Sequence, residues 1–291
     1  MSITVAPALL ARIEEHAART EGTVGVSATY VPTGAHFGLR EDELFPTASV
    51  VKLPLLVALY HEVGRGRIDL AERIPYRSPL RVPGSGVLQD LDDGIQPTLR
   101  DLAMLMTIVS DNTATDLLLE RVGKSRVEEE MAALGLRSIR VPHTIRQMLA
   151  LPWKIDPGAL DAYERVRAAW HEHPEGAPAP IPVDEADRAT PSDLCALLVS
   201  LERREVPEAD AIIEVLKRQK SDSRIPALLP NGTIVAHKTG TIRGVRNDCG
   251  IVYAPSGPLV IAIMSKDVRS DVRTDVELAE ISLAVYEELG T

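Results

Sequence analysis

Residues Thr233–Ser265, TIVAHKTGTIRGVRNDCGIVYAPSGPLVIAIMS, decide the fold. Three short runs within this stretch, Thr233–His237, Asn247–Tyr253 and Leu259–Ser265, are rich in Val and Ile, as strands are. Asn231-Gly232 precedes the first run and Pro255-Ser256-Gly257-Pro258 separates the last two, the punctuation of hairpin turns. The other end of the chain has the same texture. Thr23–Val31 alternates Val24, Val26, Ala28 and Tyr30 with small or polar residues. Pro32-Thr33-Gly34 then turns, and His36–Arg40 returns as a paired strand. Strands from both termini must pair with each other to hide their edges, which gives an antiparallel sheet. Two helices can cover it. Ala8–Arg19 places Leu9, Leu10, Ile13 and Ala17 on one face, and Asp271–Leu289 carries Val272, Val276, Leu278, Ile281 and Val285 inward.

Between these ends the period becomes helical. Val50–Val63, Leu99–Ser110, Thr113–Val122, Ser125–Leu134 and Pro191–Arg203 all show helix spacing. Thr98 has Asp101 three residues on, and Thr190 is an N-cap candidate with Pro191 at the first helical position. The spacing predicts an α/β protein of the α+β type. Residues 1–45 and 204–291 form its α/β part, and residues 46–203 an inserted all-α part. Residues 141–188 fit neither. They are rich in proline, including Pro174, Pro178, Pro180 and Pro182, with one helix-like island at Leu160–Trp170. Such a long surface excursion is more often functional or disordered than idle.

At 291 residues, 45% hydrophobic and 25% charged, the composition is that of a globular chain. A net charge of −10 with no dense Lys/Arg block argues against a nucleic-acid partner. Cys195 and Cys249 are too few for a disulfide framework, and no Cys-x-x-Cys occurs, so two buried thiols are expected. No leader pattern opens the chain, and no apolar run approaches roughly 18 residues. These features give the expectation of a cytoplasmic protein with no membrane partner, monomeric by default.

Several fragments suggest chemistry and fail. Gly123-Lys124-Ser125 ends like a phosphate-binding loop, but Leu118 stands where its upstream glycine belongs. His61-Glu62 begins like a zinc-protease motif, yet the second histidine position is Arg65. His171 and His173 fall in the proline-rich stretch and read as solvated. Ser85 lies in Gly84-Ser85-Gly86, but Pro83 replaces the first glycine of a nucleophile elbow.

Three motifs remain. Ser49-Val50-Val51-Lys52 sits at the head of a predicted helix, where a spacing of three puts the amine on the same face as the hydroxyl. A Ser alcohol needs a base to take its proton, and an amine of lowered pKa does this. The helix N-terminus adds free amides and a favourable dipole for negative charge. The second motif is Ser110-Asp111-Asn112, between two predicted helices. Ser can relay a proton to a leaving nitrogen and Asn can orient a carbonyl, although the same triplet also reads as a capping turn. The third is Lys238-Thr239-Gly240, at the end of the strand that starts near Thr233. It offers a cation and a hydroxyl for a carboxylate, and a glycine that lets a substrate backbone add to the strand edge.

In this order and these contexts, the chain resembles the penicillin-recognising serine hydrolases, and specifically the class A β-lactamases. Ser110–Leu119 and Arg188-Ala189-Thr190-Pro191 extend the likeness, which runs from about Val24 to the C-terminal helix. The resemblance implies Ser49 as the acylated nucleophile, Lys52 as its activating neighbour and Ser110 as a proton shuttle. Asn112 would position substrate, while Lys238, Thr239 and Gly240 would meet its carboxylate end. The backbone amides of Ser49 and Thr241 would form the oxyanion hole, and Arg243 and Arg246 are candidates for a further carboxylate contact. One departure stands out. Class A enzymes carry Glu-x-x-Leu-Asn in the loop, whose Glu activates the deacylating water. Glu164, Glu172, Glu175 and Glu185 are present here, but none begins that motif. Glu164, on the helix-like island, is the candidate substitute.

The resemblance implies a serine hydrolase that works through an acyl-serine intermediate on a β-lactam amide, with slow turnover where the Glu is missing. The alternatives are a D-alanyl-D-alanine peptidase or esterase, and a non-catalytic module that captures a carboxylated ligand. The partner in each case is a small molecule bearing a carboxylate. No metal or organic cofactor is called for, because side chains and water suffice.

Overall fold

Alternation in the strands fixes both faces of the central sheet. In the computed structural model, which describes residues 7–172, 181–269 and 272–290, five antiparallel strands make that sheet. They are β1 (Thr23–Tyr30), β2 (Ala35–Leu39), β5 (Ile234–Ile242), β6 (Val245–Ala254) and β7 (Gly257–Lys266), in the order β2-β1-β7-β6-β5. A two-stranded piece, β3 (Phe45–Pro46) with β4 (Arg188–Ala189), stands apart. Along β7, Leu259, Ile261 and Ile263 face one core while Val260, Ala262 and Met264 face the other. The period of two buries apolar residues on both sides, so the strand reads as a continuous apolar run.

One face is covered by α1 (Pro7–Arg19) and α10 (Val272–Leu289), which join the first and last parts of the chain. Leu9, Ile13 and Ala17 of α1 are buried, and so are Leu278, Ile281 and Val285 of α10. Three expected inward residues turn out instead. Val272 and Val276 are 77% and 49% exposed, and Leu10 also faces solvent. Thr274, between them, is buried, so Val272 and Val276 lie on the face of α10 opposite the one that Thr274, Leu278, Ile281 and Val285 bury. His173, Pro174, Glu175, Pro178, Pro180 and Asp271 lie outside the described residues.

The opposite face carries α8 (Pro191–Glu202) and, beyond it, the helical layer. This layer holds α2 (Lys52–Gly64), α3 (Leu99–Ile108), α4 (Asn112–Val122), α5 (Lys124–Ala133), α6 (Ile145–Ala150), α7 (Ala162–Glu172) and α9 (Ala209–Leu216). The expected caps form. Thr98 and Asp101 make a reciprocal capping box, and the Thr190 hydroxyl accepts from the Asp193 amide. Two helices have no counterpart in the sequence reading. Of these, α9 packs its Ile212, Ile213 and Leu216 into the helical core. The other, α6, brings Ile145 and Met148 into the same core, so residues 141–188 are not a surface excursion alone. Asn231-Gly232 also differs from expectation, since it leads into β5 with no strand before it. The β5–β6 hairpin turns instead at Arg243-Gly244, with Gly244 at φ +72°. Both thiols are free and buried on the helical side of the sheet. Among the described residues, no helix is long and apolar enough to cross a membrane.

Three connections fix the turn that begins at Thr47. Asn247 on β6 donates from Nδ2 to the carbonyls of Pro46 (2.8 Å) and Thr47 (3.1 Å), while its Oδ1 accepts from the Ser265 amide (2.8 Å). The Thr47 amide donates to the Asp187 carbonyl at 2.9 Å. A Cβ on Gly240 of β5 would lie 2.6 Å from the Thr47 oxygen and 3.0 Å from the Val50 nitrogen, so only glycine lets strand and turn approach. Asp187 is itself unusual. Its Oδ1 accepts one long bond from the His143 amide (3.1 Å), and its buried Oδ2 has no partner among the described residues. Burial pushes its carboxyl up to about 7.

Asn247→Ala strips partners from three buried backbone groups, and the expected loss is about 2–4 kcal/mol, read from the denaturant midpoint at unchanged m. The Asp187 carboxyl binds its proton more tightly folded than unfolded, so its contribution is full at acid pH. It is lost as pH rises from the ordinary carboxylate value toward about 7. Asp187→Asn removes this pH dependence and adds roughly 2 kcal/mol at pH 8; unchanged curves in urea at pH 5 and 8 would refute this.

Candidate active site

Ser49 lies in a short 3-10 turn, Ala48–Val51, that feeds directly into α2. Ala48 before it takes φ +46°, a left-handed conformation costly for any side chain. The turn half-buries Ser49 and places Lys52 at the first position of α2. The Ser49 hydroxyl makes no hydrogen bond among the described residues. Free catalytic groups commonly tighten only around substrate.

Lys52 is 1% exposed and reaches across to the loop between α3 and α4. Its Nζ donates to the Ser110 carbonyl (2.6 Å) and to Asn112 Oδ1 (2.8 Å), and lies 3.0 Å from Ser110 Oγ. Among the described residues, no carboxylate hydrogen-bonds this amine. Burial, then the nearby Lys238 cation, hold the amine well below its usual value, against the weaker pull of Asp111 and Asp116. A neutral amine has two N–H groups, which match the two carbonyl-type oxygens that only accept. Its lone pair is then left for a hydroxyl proton.

The Ser110-Asp111-Asn112 triplet forms the capping turn and also meets Lys52. Asp111 caps α4, accepting from the Ala114 amide at 2.9 Å, and its Oδ2 also gathers the Val87 and Leu88 amides. This frees Ser110 and Asn112 for the site. Ser110 is held at φ +55°, with its hydroxyl 3.0 Å from Lys52 Nζ and 3.2 Å from Lys238 Nζ. Asn112 Nδ2 donates to the Pro83 carbonyl at 2.9 Å, which leaves Oδ1 turned to Lys52.

Lys238, Thr239 and Gly240 lie in the middle of β5, not at its end as the sequence suggested. Lys238 is also 1% exposed, and burial brings its amine down to about 7, with Asp248 opposing and Arg224 assisting. Gly240 makes room for the Ser49 turn. That close approach sets the Thr241 backbone beside the turn carrying Ser49, and Thr241 itself is exposed.

Two expected contributors make no hydrogen bond to Lys52, Ser110 or Lys238 among the described residues. Glu164 is exposed on α7 and does not reach Lys52, because the polar groups of that helix face solvent while Ala162 and Val166 face inward. Arg246 is drawn to α10, where its Nη1 lies 3.6 Å from Asp275 Oδ2 and its Nε is buried without a partner among the described residues. Residues that the sequence did not disclose fill the gaps. Arg224 is 3% exposed and donates to Thr241 Oγ1 (2.7 Å) and to the Gly240 and Asn247 carbonyls, while Asp275 Oδ1 accepts from its Nε at 2.7 Å. Ser85, rejected as an elbow nucleophile, donates to the Ser110 carbonyl (2.7 Å) and Asn112 Oδ1 (3.2 Å). Neither residue sits in a spacing motif, since both arrive through loops far along the chain.

The arrangement is a buried amine pair flanking the Ser110 hydroxyl, with the Ser49 turn on one side and the Lys238 strand on the other. Its relatives are consistent with that chemistry. A β-lactamase structure from Sphaerobacter thermophilus is 30% identical, covers 97% of each chain and superposes with a TM-score of 0.80. A point variant of PBP-A, solved as an acyl-enzyme complex with penicillin G, is 27% identical with a TM-score of 0.78, over 96% of this chain and 95% of its own. The β-lactamase regulatory protein BlaB of Streptomyces cacaoi is 27% identical over 88% of this chain and 89% of its own. The model of the β-lactamase enzyme family matches residues 8–289, and the chain belongs to that family.

Proposed function

We propose that this protein is a serine hydrolase of β-lactamase type in which Ser49 takes up the acyl group of a β-lactam. The observation that carries this reading is the convergence of two buried lysines on one serine hydroxyl, Lys52 at 3.0 Å and Lys238 at 3.2 Å from Ser110 Oγ. The Ser49 Oγ–H bond breaks, its proton passes to the neutral Lys52 amine, and Oγ bonds to the carbonyl carbon. The backbone N–H groups of Ser49 and Thr241 receive the oxyanion. The C–N bond then breaks with its electron pair on nitrogen, and the proton moves from Lys52 through Ser110 Oγ to that nitrogen. An ester on Ser49 and a free amine result, with Lys52 neutral again.

The substrate carboxylate belongs at the other end, with Lys238, Thr239 and Thr241. Arg224 supports that end through Thr241 Oγ1. Hydrolysis of the ester needs a base to activate water, and here the pattern of side chains points to slow release. Lys52 has only uncharged hydrogen-bond partners among the described residues, and Asp116 is committed to the Ile145 and Arg146 amides that open α6. The first turn of α6 then presents buried Ile145 and Met148 rather than a carboxylate. The acyl-enzyme therefore accumulates.

Intact mass after mixing with a chromogenic cephalosporin tests this reading. The expected result is a one-to-one adduct on wild type that persists through desalting and is absent from Ser49→Ala; an adduct on the variant would refute it. The pH profile follows from Lys238, whose charge is present below about 7 and lost above it. The second-order acylation constant is expected to fall roughly tenfold between about pH 7 and 9, and a flat profile over that range contradicts the carboxylate role.

A further inference from the structure

The site has two distinguishable ends, and only one has been given an occupant. Contacts run in series from Lys238 Nζ to Ser110 Oγ (3.2 Å), to Lys52 Nζ (3.0 Å), to Asn112 Oδ1 (2.8 Å). Beyond Asn112, its Nδ2 meets the Pro83 carbonyl, and the next residue is Gly84, at φ +101°. A Cβ at Gly84 would lie 2.9 Å from Asn112 Nδ2 and 3.1 Å from both Cη2 and Cζ3 of Trp170. The Trp170 ring therefore sits against the Gly84 backbone, immediately beside the Asn112 amide.

Trp170 is held there by contacts independent of the lysines. It packs on a small core of Ala150, Ile155, Ala162 and Val166, apart from the main helical core. A polar strap ties the same helix to the same loop. Tyr163 Oη donates to Gln89 Oε1 (3.4 Å), and Gln89 Nε2 donates to the carbonyls of Gly84 (2.5 Å) and Gly86 (3.4 Å). Trp170 is only half-buried. A substrate that anchors its carboxylate near Lys238 and presents its carbonyl to Ser49 must direct its acyl substituent toward the Asn112 end.

We infer that Trp170 forms the apolar wall of the acyl-substituent subsite, so that the protein selects acyl donors carrying a planar, aromatic group. The inference rests on the acyl-Ser49 reading above. An aromatic substituent stacks on an indole face with gain beyond simple burial, and a substrate with no substituent gains nothing there. Gly84 belongs to the same device, because any side chain would enter the space between Asn112 and the ring.

The test compares Ser49 acylation by benzylpenicillin, which carries a phenylacetyl substituent, with acylation by 6-aminopenicillanic acid, which has none. Rate constants come from intact-mass time courses on wild type, Trp170→Ala and Trp170→Phe, with thermal melts to establish folding. In Trp170→Ala the benzylpenicillin-to-nucleus rate ratio is expected to fall about tenfold, while Trp170→Phe keeps it within about threefold of wild type. An unchanged ratio in Trp170→Ala, whether both rates hold or both fall together, overturns the inference. If neither compound acylates wild-type Ser49, the underlying reading fails, and the subsite fails with it.

Discussion

Everything in the site depends on keeping a lysine amine out of water. Lys52 is buried with another lysine nearby, and desolvation penalises its charged form more than any neighbour rewards it. The fold meets this demand with geometry. The Ser110 carbonyl and Asn112 Oδ1 accept the two N–H groups that a neutral amine retains. Ser110 is held at a positive φ to present both its carbonyl and its hydroxyl to Lys52. Lys238 then supplies the cation of the pair, close enough to disfavour a second positive charge, and its own amine sits near 7. On the proposed function, these two lysines are the proton acceptor and the carboxylate anchor, held within one buried cluster.

Such a cluster can act on Ser49 only if the Ser49 turn stays in register with it. Three elements distant in sequence hold that turn: β6 through Asn247, β5 through the close approach at Gly240, and residues around 187–189 through β4. The sheet therefore contributes little chemistry of its own beyond Lys238 and its neighbours, but it sets where the turn carrying Ser49 lies relative to Lys238. The same logic explains Arg224, whose guanidinium ties the Gly240 and Asn247 carbonyls, Thr241 and Asp275 into one edge.

Features whose signal is local were legible in the sequence. The strand alternation of Thr23–Tyr30 and Leu259–Ser265, the capping box at Thr98, and the three motifs at Ser49, Ser110 and Lys238 each occupy a few consecutive residues. The structure brings all three motifs together. Features decided by tertiary contact were not legible. The expected inward face of α10 failed at Val272 and Val276, because the polar Thr274 takes the buried position in the first turns and the two valines fall on the opposite face. The short α6 was hidden among prolines, and its burial comes from partners on α4 rather than from propensity. Glu164 had the right chemistry on a helix whose polar side faces solvent, while Trp170 on the same helix reaches the site. Ser85 and Arg224 carry no motif and become visible only when distant loops are folded together.

With uncharged groups as its hydrogen-bond partners, the Lys52 amine is tuned chiefly by burial and by Lys238, and this gives the account its sharpest consequence. The most direct measurement is an NMR titration of the protein with lysine side chains labelled at Cε and Nζ, the Lys52 resonance being assigned by its loss in Lys52→Gln. The account predicts a midpoint for Lys52 well below 10.5, with Lys238 titrating near 7. A Lys52 midpoint at 10.5 would mean a charged amine at neutral pH, and would contradict the assignment of Lys52 as the base for Ser49.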